Sequence, residues 1–454
     1  MKKILSILLT AVIFVSAFCF TNANAAYDEV MESMKLYSDC VLLVSTDNDE
    51  VIFAKNANKQ SAPASLTKVI TAIVVLENCT NLDAIVTVPE SCIRELDGTG
   101  SSLGGIQPGE QLSVYNLLCY LMLVSANEAA TTLADYVSGG DRAKFISMMN
   151  EVAERLGCTN SHFENPHGLD HDNQYVTAAD MAKFITHAMT FPAFEEIVGR
   201  TSYVLPETNM QESRTLHSSN YMLNSAYKDY YCKYVKAGKT GSTSGAGRCF
   251  VAYASKDGYN YVAVALDAPF GDFDNDGVNE NGSFLDCKEM FEWTFSNIEL
   301  VAIADTTRVV GEIPVKYAKS VDYITLSPAE TVYSLVPKGT DSGSLLVELV
   351  DAPESVKAPV KKGEIVCKGR VLYAGSVIKE IDLVSNTDAK ISIFAFIGST
   401  AKSVLSSWIF RIAAIAVIVL LIILIFRKRK KENSRPVNNK DYRILNYNDF
   451  MKLK

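Results

Sequence analysis

Three short stretches carry residue types able to open an amide bond: Ser65-Leu66-Thr67-Lys68, Ser125-Ala126-Asn127 and Lys239-Thr240-Gly241. A serine hydroxyl becomes a nucleophile only when a base removes its proton. In the first stretch the i,i+3 spacing on a helix sets Lys68 on the same face as Ser65, one turn on. A lysine can serve as that base if burial or a neighbouring cation lowers its pKa. In the second stretch Ser125 can relay a proton towards a departing amine, and the Asn127 amide can orient Lys68 and hold a substrate carbonyl. In the third, Lys239 offers a point charge and Thr240 a hydroxyl to a carboxylate. Gly241 there removes the side chain that would block an incoming peptide backbone.

The first two patterns are not unique. Ser225-Ala226-Tyr227-Lys228 and Ser376-Val377-Ile378-Lys379 repeat the first, and Ser218-Ser219-Asn220 repeats the second. Lys239-Thr240-Gly241 occurs once. The conjunction and order of the three carry the reading.

The elements that must hold them follow from periodicity. Val41–Val44 and Val51–Ala54, joined by Asp47-Asn48-Asp49-Glu50, predict a β-hairpin. Helices are predicted from Pro63 through Leu76, near Val114–Val137, over Arg142–Leu156, and from a Thr177 cap to Met189. The apolar run Val69–Leu76 predicts a deeply buried helix, the setting that would desolvate Lys68. Strands return at Cys249–Ala254 and Tyr259–Leu266. Strands on both flanks of a helical block predict one α/β domain, a mixed sheet with helices, over residues 26–298. Short β-rich runs at Thr307–Val310, Ser320–Thr325, Leu345–Leu349, Glu364–Tyr373 and Val377–Leu383 predict a small all-β domain over 299–397.

Both ends address the chain to a membrane. Lys2 and Lys3 precede an apolar run, and Ala23-Asn24-Ala25 suits cleavage, so residues 1–25 read as a signal peptide. A polar hinge at 398–407 precedes an apolar stretch at 408–426, about the length of a bilayer span. Arg427-Lys428-Arg429-Lys430-Lys431 then opens a basic tail, 427–454, expected to stay cytoplasmic. The chain's net charge is −9. Removing the signal (+2) and the tail (+7) leaves −18 for the outside portion, which argues against nucleic acid as a partner. Ten cysteines, nine beyond the signal, are scattered without a C-x-x-C pair.

Ala64-Ser65-Leu66-Thr67-Lys68 and Asn165-Pro166-His167-Gly168-Leu169 resemble marked segments of the D-alanyl-D-alanine carboxypeptidases, the low-molecular-mass penicillin-binding proteins. The resemblance runs from about Leu36 to Leu266. It implies a β-lactamase/transpeptidase-like fold, with the β-rich domain and membrane anchor suiting it. It further implies Ser65 as the acylated nucleophile, Lys68 as its base, Ser125 as proton relay and Asn127 as positioner. Lys239 and Thr240 would bind the terminal carboxylate of D-Ala-D-Ala, and the backbone N–H groups of Ser65 and Ser242 would form the oxyanion hole. The chemistry it implies needs no cofactor, and β-lactams would acylate the same serine. Many relatives carry Gly at the Ala126 position and His at the Ser242 position, so substrate preference can differ.

Other readings stay open at this point. A serine β-lactamase would add a glutamate for deacylation, and Glu164 is placed to be considered. A β-lactam or muropeptide sensor would signal through the span to the tail. His162, His167 and His171 cluster near Asp170 and Asp172, but Pro166 and Gly168 break any helix that would present zinc ligands. Asp272, Asp274, Asp276 and Glu280 with Gly277 match the first half of a calcium loop, although position 12 is Ser283.

Overall fold

A computed structural model describes residues 34–340, 345–373 and 376–433. The segment expected as a signal peptide, 1–25, and the part of the expected tail from 434 on lie outside the described residues.

The framework of the catalytic region is a five-stranded sheet. Its strands are β1 (Cys40–Ser45), β2 (Val51–Lys55), β3 (Val235–Thr243), β4 (Gly247–Lys256) and β5 (Tyr259–Ala268), in the order β2-β1-β5-β4-β3. All its pairings are antiparallel, including β1 with β5 (Cys40↔Leu266) and β3 with β4 (Lys239↔Val251). The ends of the chain segment thus close the sheet around the helices between them.

Period-two alternation sorts its side chains onto two cores. Leu42, Val44, Val251, Val262, Val264 and Leu266 face the helical block. Val41, Leu43, Phe250, Ala252, Ala263 and Ala265 face the other way, onto Phe284, Met290, Phe291 and Phe295. Those four lie on a later helix, Gly282–Asn297. With both faces covered, the central strands read as near-continuous apolar runs rather than as a polar-apolar alternation.

Within the helical block, α1 (Thr67–Asn78) buries every residue from Thr67 to Val75. A single 3₁₀ turn, Ala64–Leu66, precedes it and carries Ser65. The long helix predicted over Val114–Val137 is two helices, α2 (Val114–Leu123) and α3 (Asn127–Ser138). The break falls on Ser125, whose φ is +60°. α4 (Arg142–Arg155) starts on the Asp141 side chain, which accepts from Lys144 N. α5 (Ala178–Ala188) starts on Thr177, which accepts from Asp180 N, as its cap chemistry predicts.

By contacts the chain forms two units. The first extends to Asp305 and takes in Glu330–Glu348 and Arg370–Ile381. It therefore includes the antiparallel ladder of Ile298–Ala304 with Val332–Pro337, held partly by Ser334 Oγ and Leu335 N donating to Glu50 Oε2. The second unit contains Gly311–Lys316 paired antiparallel with Tyr323–Pro328 and in parallel with Val356–Lys357. Thr307–Val310, expected as a strand, is irregular; the strand begins at Gly311. The segment expected as a polar hinge is also different. Residues Ile393–Ser406 form helix α6, because Phe394, Ile397, Ala401 and Leu405 recur at helical spacing. Helix α7 (Trp408–Asn433) follows, and its Trp408–Lys430 portion, which contains an 18-residue window of mean hydropathy 3.2, is long and apolar enough to cross a membrane.

Candidate active site

The three sequence stretches converge in the first unit. Lys68 Nζ lies 2.9 Å from Ser65 Oγ, 2.6 Å from Asn127 Oδ1 and 2.7 Å from the His167 carbonyl oxygen. Lys239 Nζ lies 2.9 Å from Ser125 Oγ and 2.8 Å from the Thr240 carbonyl oxygen. Lys68 thus meets the serine it is asked to activate, and Lys239, expected only to face a carboxylate, also donates to Ser125. One pair is local; the other joins residues 114 apart in sequence.

Ser65 is presented by a constrained turn. Ala64, just before it, has φ +46°, and Thr67 Oγ1 donates back to the Ala64 carbonyl at 2.9 Å. Ser125 is held similarly, in a left-handed conformation that a non-glycine residue rarely adopts. Breaking the helix at Ser125 turns its hydroxyl towards Lys239 and starts α3 on Asn127, whose amide then reaches Lys68.

Both lysines are buried, at 0 % and 1 % exposure. Desolvation, then the like charge of Lys239, holds the Lys68 ammonium well below the usual lysine range, with Glu128 opposing. Desolvation alone brings Lys239 down to about 7. Glu128 is itself buried and pushed up by desolvation. One of its oxygens accepts from Gly104 N and Ile106 N, pinning that loop beside Asn127. Two desolvated amines in one cleft are the condition under which a lysine is neutral enough to accept a serine proton.

The Asn165-Pro166-His167-Gly168-Leu169 stretch supports α1. The carbonyls of Pro166 and His167 accept from Thr71 Oγ1 and Lys68 Nζ, and Asn165 Oδ1 accepts from Gly168 N. A Cβ on Gly168 (φ +92°) would stand 1.8 Å from the Ala64 carbonyl oxygen, so only glycine lets this loop close under Ser65. Gly241 is close-packed to a lesser degree: a Cβ there would lie 3.1 Å from both Ala64 Cβ and Pro63 O.

Some participants escape sequence reasoning. Ser219 belongs to the repeat of the second pattern, yet its hydroxyl lies 2.8 Å from Thr240 Oγ1. Arg248, across the strand from Ser242, donates to Ser242 Oγ at 2.9 Å. Neither has a spacing that marks it. The copies of the first pattern behave differently: Ser225 and Lys228 are exposed in a turn, and 376–379 lies on a strand.

The remaining candidates separate from this cleft. His162 pairs with Glu164 at 3.2 Å, His167 is buried and pulled to about 3 mainly by desolvation, and His171 accepts from Asn173 N. These are three separate engagements, not a metal site. Glu164 lines a cavity with Arg142, Asn150, Glu154 and His162, whose walls include none of Ser65, Lys68 or Ser125. The carboxylates of Asp272, Asp274, Asp276 and Glu280 do come together, with ligand atoms within 4.8 Å of one another. Hard oxygen donors suit Ca²⁺, but Ser283, at the twelfth position, turns its hydroxyl to Asn281. All nine described cysteines are free thiols, and burial raises those at Cys92 and Cys119 to about 12, so they are inert.

Comparison with known proteins places this geometry. Residues 27–270, more than half of the chain, match the D-alanyl-D-alanine carboxypeptidase family, and residues 299–390 match the penicillin-binding protein 5 C-terminal domain. D-alanyl-D-alanine carboxypeptidase DacF of Bacillus subtilis is 26% identical over 86% of this chain and 95% of its own length. DacC of Escherichia coli is 29% identical over 77% of this chain and 84% of its own. The crystal structure of penicillin-binding protein 5 from Haemophilus influenzae superposes with a TM-score of 0.62 at 25% identity, covering 79% of this chain and 98% of that one. By sequence match, fold and the convergence of its serines and lysines, the chain belongs to the D-alanyl-D-alanine carboxypeptidase family.

Proposed function

We propose that the protein is a serine D-Ala-D-Ala carboxypeptidase that removes the terminal D-alanine from peptidoglycan pentapeptides. The observation that carries this is the buried Lys68 amine 2.9 Å from Ser65 Oγ. Neutral Lys68, positioned by Asn127, takes the Ser65 proton as Oγ attacks the penultimate D-alanine carbonyl. The backbone N–H groups of Ser65 and Ser242 receive the developing oxyanion. Ser125, hydrogen-bonded to Lys239, hands a proton to the departing amine of D-alanine as the C–N bond breaks and takes one back from Lys68, which returns to its neutral form. Water then attacks the acyl ester and restores Ser65. Lys239 and Thr240 hold the terminal carboxylate, and Gly241 leaves room for the peptide along the free edge of β3. β-Lactams enter the same path and acylate Ser65.

Side chains and backbone N–H groups of the cleft carry every step; the acidic loop at Asp272–Glu280 takes no part. The same reading assigns residues 1–25 to a removed signal, 26–298 to the peptidase domain and 299–397 to the β-rich domain. It makes 398–407 the link to a span at 408–426 and leaves 427–454 inside the cell. Catalysis then faces the wall, with no nucleic-acid partner.

Incubating the protein with diacetyl-L-Lys-D-Ala-D-Ala tests the reaction class. D-alanine release that Ser65→Ala abolishes is expected. No release, or release that survives the substitution, would overturn the proposal.

A further inference from the structure

The oxyanion hole of the proposed reaction takes its two N–H groups from separate elements, Ser65 on the 3₁₀ turn Ala64–Leu66 and Ser242 on β3. Such donors stabilise a developing charge only if they are aimed before it forms. Ser65 is fixed by its own turn. Ser242 is less secure, because β3 is the edge of the sheet and pairs with β4 alone. Only Thr243 separates Ser242 from the turn that leads to Gly247. The end of an edge strand is where a sheet opens most easily, so the ladder by itself is a weak fastening.

A second fastening comes from the loop that follows Asn165. Asp170 Oδ1 accepts from Thr243 Oγ1 at 2.6 Å, and Asp170 Oδ2 accepts from Gly245 N at 3.2 Å. Thr243 Oγ1 in turn accepts from Ala246 N at 3.0 Å. One carboxylate thus closes the β3–β4 turn from outside, across 73 and 75 residues of sequence. A Cβ on Gly245 would stand 3.0 Å from Asp170 Oδ2, so the glycine leaves the carboxylate its place.

Two residues before Asp170, Gly168 closes on the Ala64 carbonyl beneath Ser65. The chain between these two points is stiff. Asn165 Nδ2 and Gln174 Nε2 both donate to the Leu169 carbonyl, at 2.9 and 3.2 Å, and Leu169 N donates to His167 Nδ1 at 3.2 Å. The loop is therefore a short brace, with the nucleophile turn at one end and the end of β3 at the other.

We propose that Asp170 is a positioning residue that fastens the end of β3 to the loop beneath Ser65 and so sets the spacing of the two oxyanion-binding N–H groups. The inference rests on the carboxypeptidase reading and deepens it. Asp170 acts through Thr243 and Gly245 on the neighbouring Ser242 N–H. Its side chain is exposed, so truncating it leaves the core intact.

Infrared difference spectroscopy of the penicilloyl-enzyme tests this, because N–H donors lower the stretching frequency of an ester carbonyl held between them. With benzylpenicillin labelled at the β-lactam carbonyl, Asp170→Ala is expected to move the ester band to higher frequency. Acylation should slow by about tenfold, less than the hundredfold or more that follows deletion of an oxyanion donor. Asp170→Asn, whose amide oxygen can still accept from Thr243, should recover part of both effects. Thr243→Val releases one of the two bonds from the other end, so it should shift the band in the same direction and add little when combined with Asp170→Ala. Slower acylation with an unmoved band is the mark of a merely structural or electrostatic role and overturns the proposal. If the wild-type protein forms no penicilloyl ester, the acyl-serine reading and the proposal fall together; an ester whose band ignores Asp170→Ala overturns the proposal alone.

Discussion

Lys68 and Lys239 bring two like charges into a dry interior, whereas Asp272, Asp274, Asp276 and Glu280 bring four together at the surface. In the cleft each amine has been stripped of water, and Lys68 also feels the charge of Lys239, so both pKa values fall. In the loop, three of the four side chains stay exposed, and the loop's own backbone supplies their partners. Asp272 accepts from Asp276 N and Gly277 N, Asp274 from Asp276 N, and Asp276 from Val278 N. The difference teaches that clustering alone does not make a reactive site. Desolvation with a directed partner does, because it changes which protonation state is available at neutral pH.

The comparison can be broken most severely at its first member. Lys68→Ala should lower the rate of Ser65 acylation by at least about a thousandfold, since nucleophile and base act as a unit. Stopped-flow acylation by a fluorescent penicillin reads this directly, and a loss below tenfold would remove Lys68 as the base. Next in size is Gly168→Ala. The added methyl collides with the Ala64 carbonyl at a left-handed position, so a stability loss of about 3 kcal/mol or more is expected in chemical denaturation.

The pH profile sharpens the same contrast. Acylation should rise with pH as Lys68 sheds its proton, and its lowered pKa moves that rise to lower pH than an ordinary lysine would give. With rising pH through about 7, Lys239 loses its charge, so KM for the carboxylate substrate should rise. A flat profile between pH 5 and 9 would contradict both assignments. The smallest effect belongs to the loop: Asp274→Ala should leave D-alanine release within about twofold. Calorimetric titration with Ca²⁺ decides the loop separately, because heat that Asp274→Ala abolishes marks a cation site and none at millimolar Ca²⁺ ends the idea.

Much of this was legible in residue order. The hairpin, α1, the Thr177 cap and the β4–β5 hairpin follow from alternation, periodicity and capping, which are local. The i,i+3 geometry of Ser65 and Lys68 is local too. What escaped was set by distant contacts. Leu121-Met122-Leu123-Val124 and Ala129-Ala130 continue one helical pattern across Ser125, and nothing nearby announces the break. It is Lys239, 114 residues on, that receives the turned-out hydroxyl. Ser219 reads as a copy of the second pattern in sequence because its partner, Thr240, is brought near only by the fold of β3. The helix at Ile393–Ser406 is local but masked: Ser399, Thr400, Lys402 and Ser403 give the stretch a polar composition, while Phe394, Ile397, Ala401 and Leu405 keep a helical spacing beneath it.

The central claim is that Ser65 forms the acyl-enzyme. The direct measurement is peptide mapping by mass spectrometry after exposure to benzylpenicillin. One penicilloyl adduct is expected, on the peptide that contains Ser65, persisting for many minutes and missing in Ser65→Ala. An adduct on another residue, or none in the wild-type protein, would contradict it.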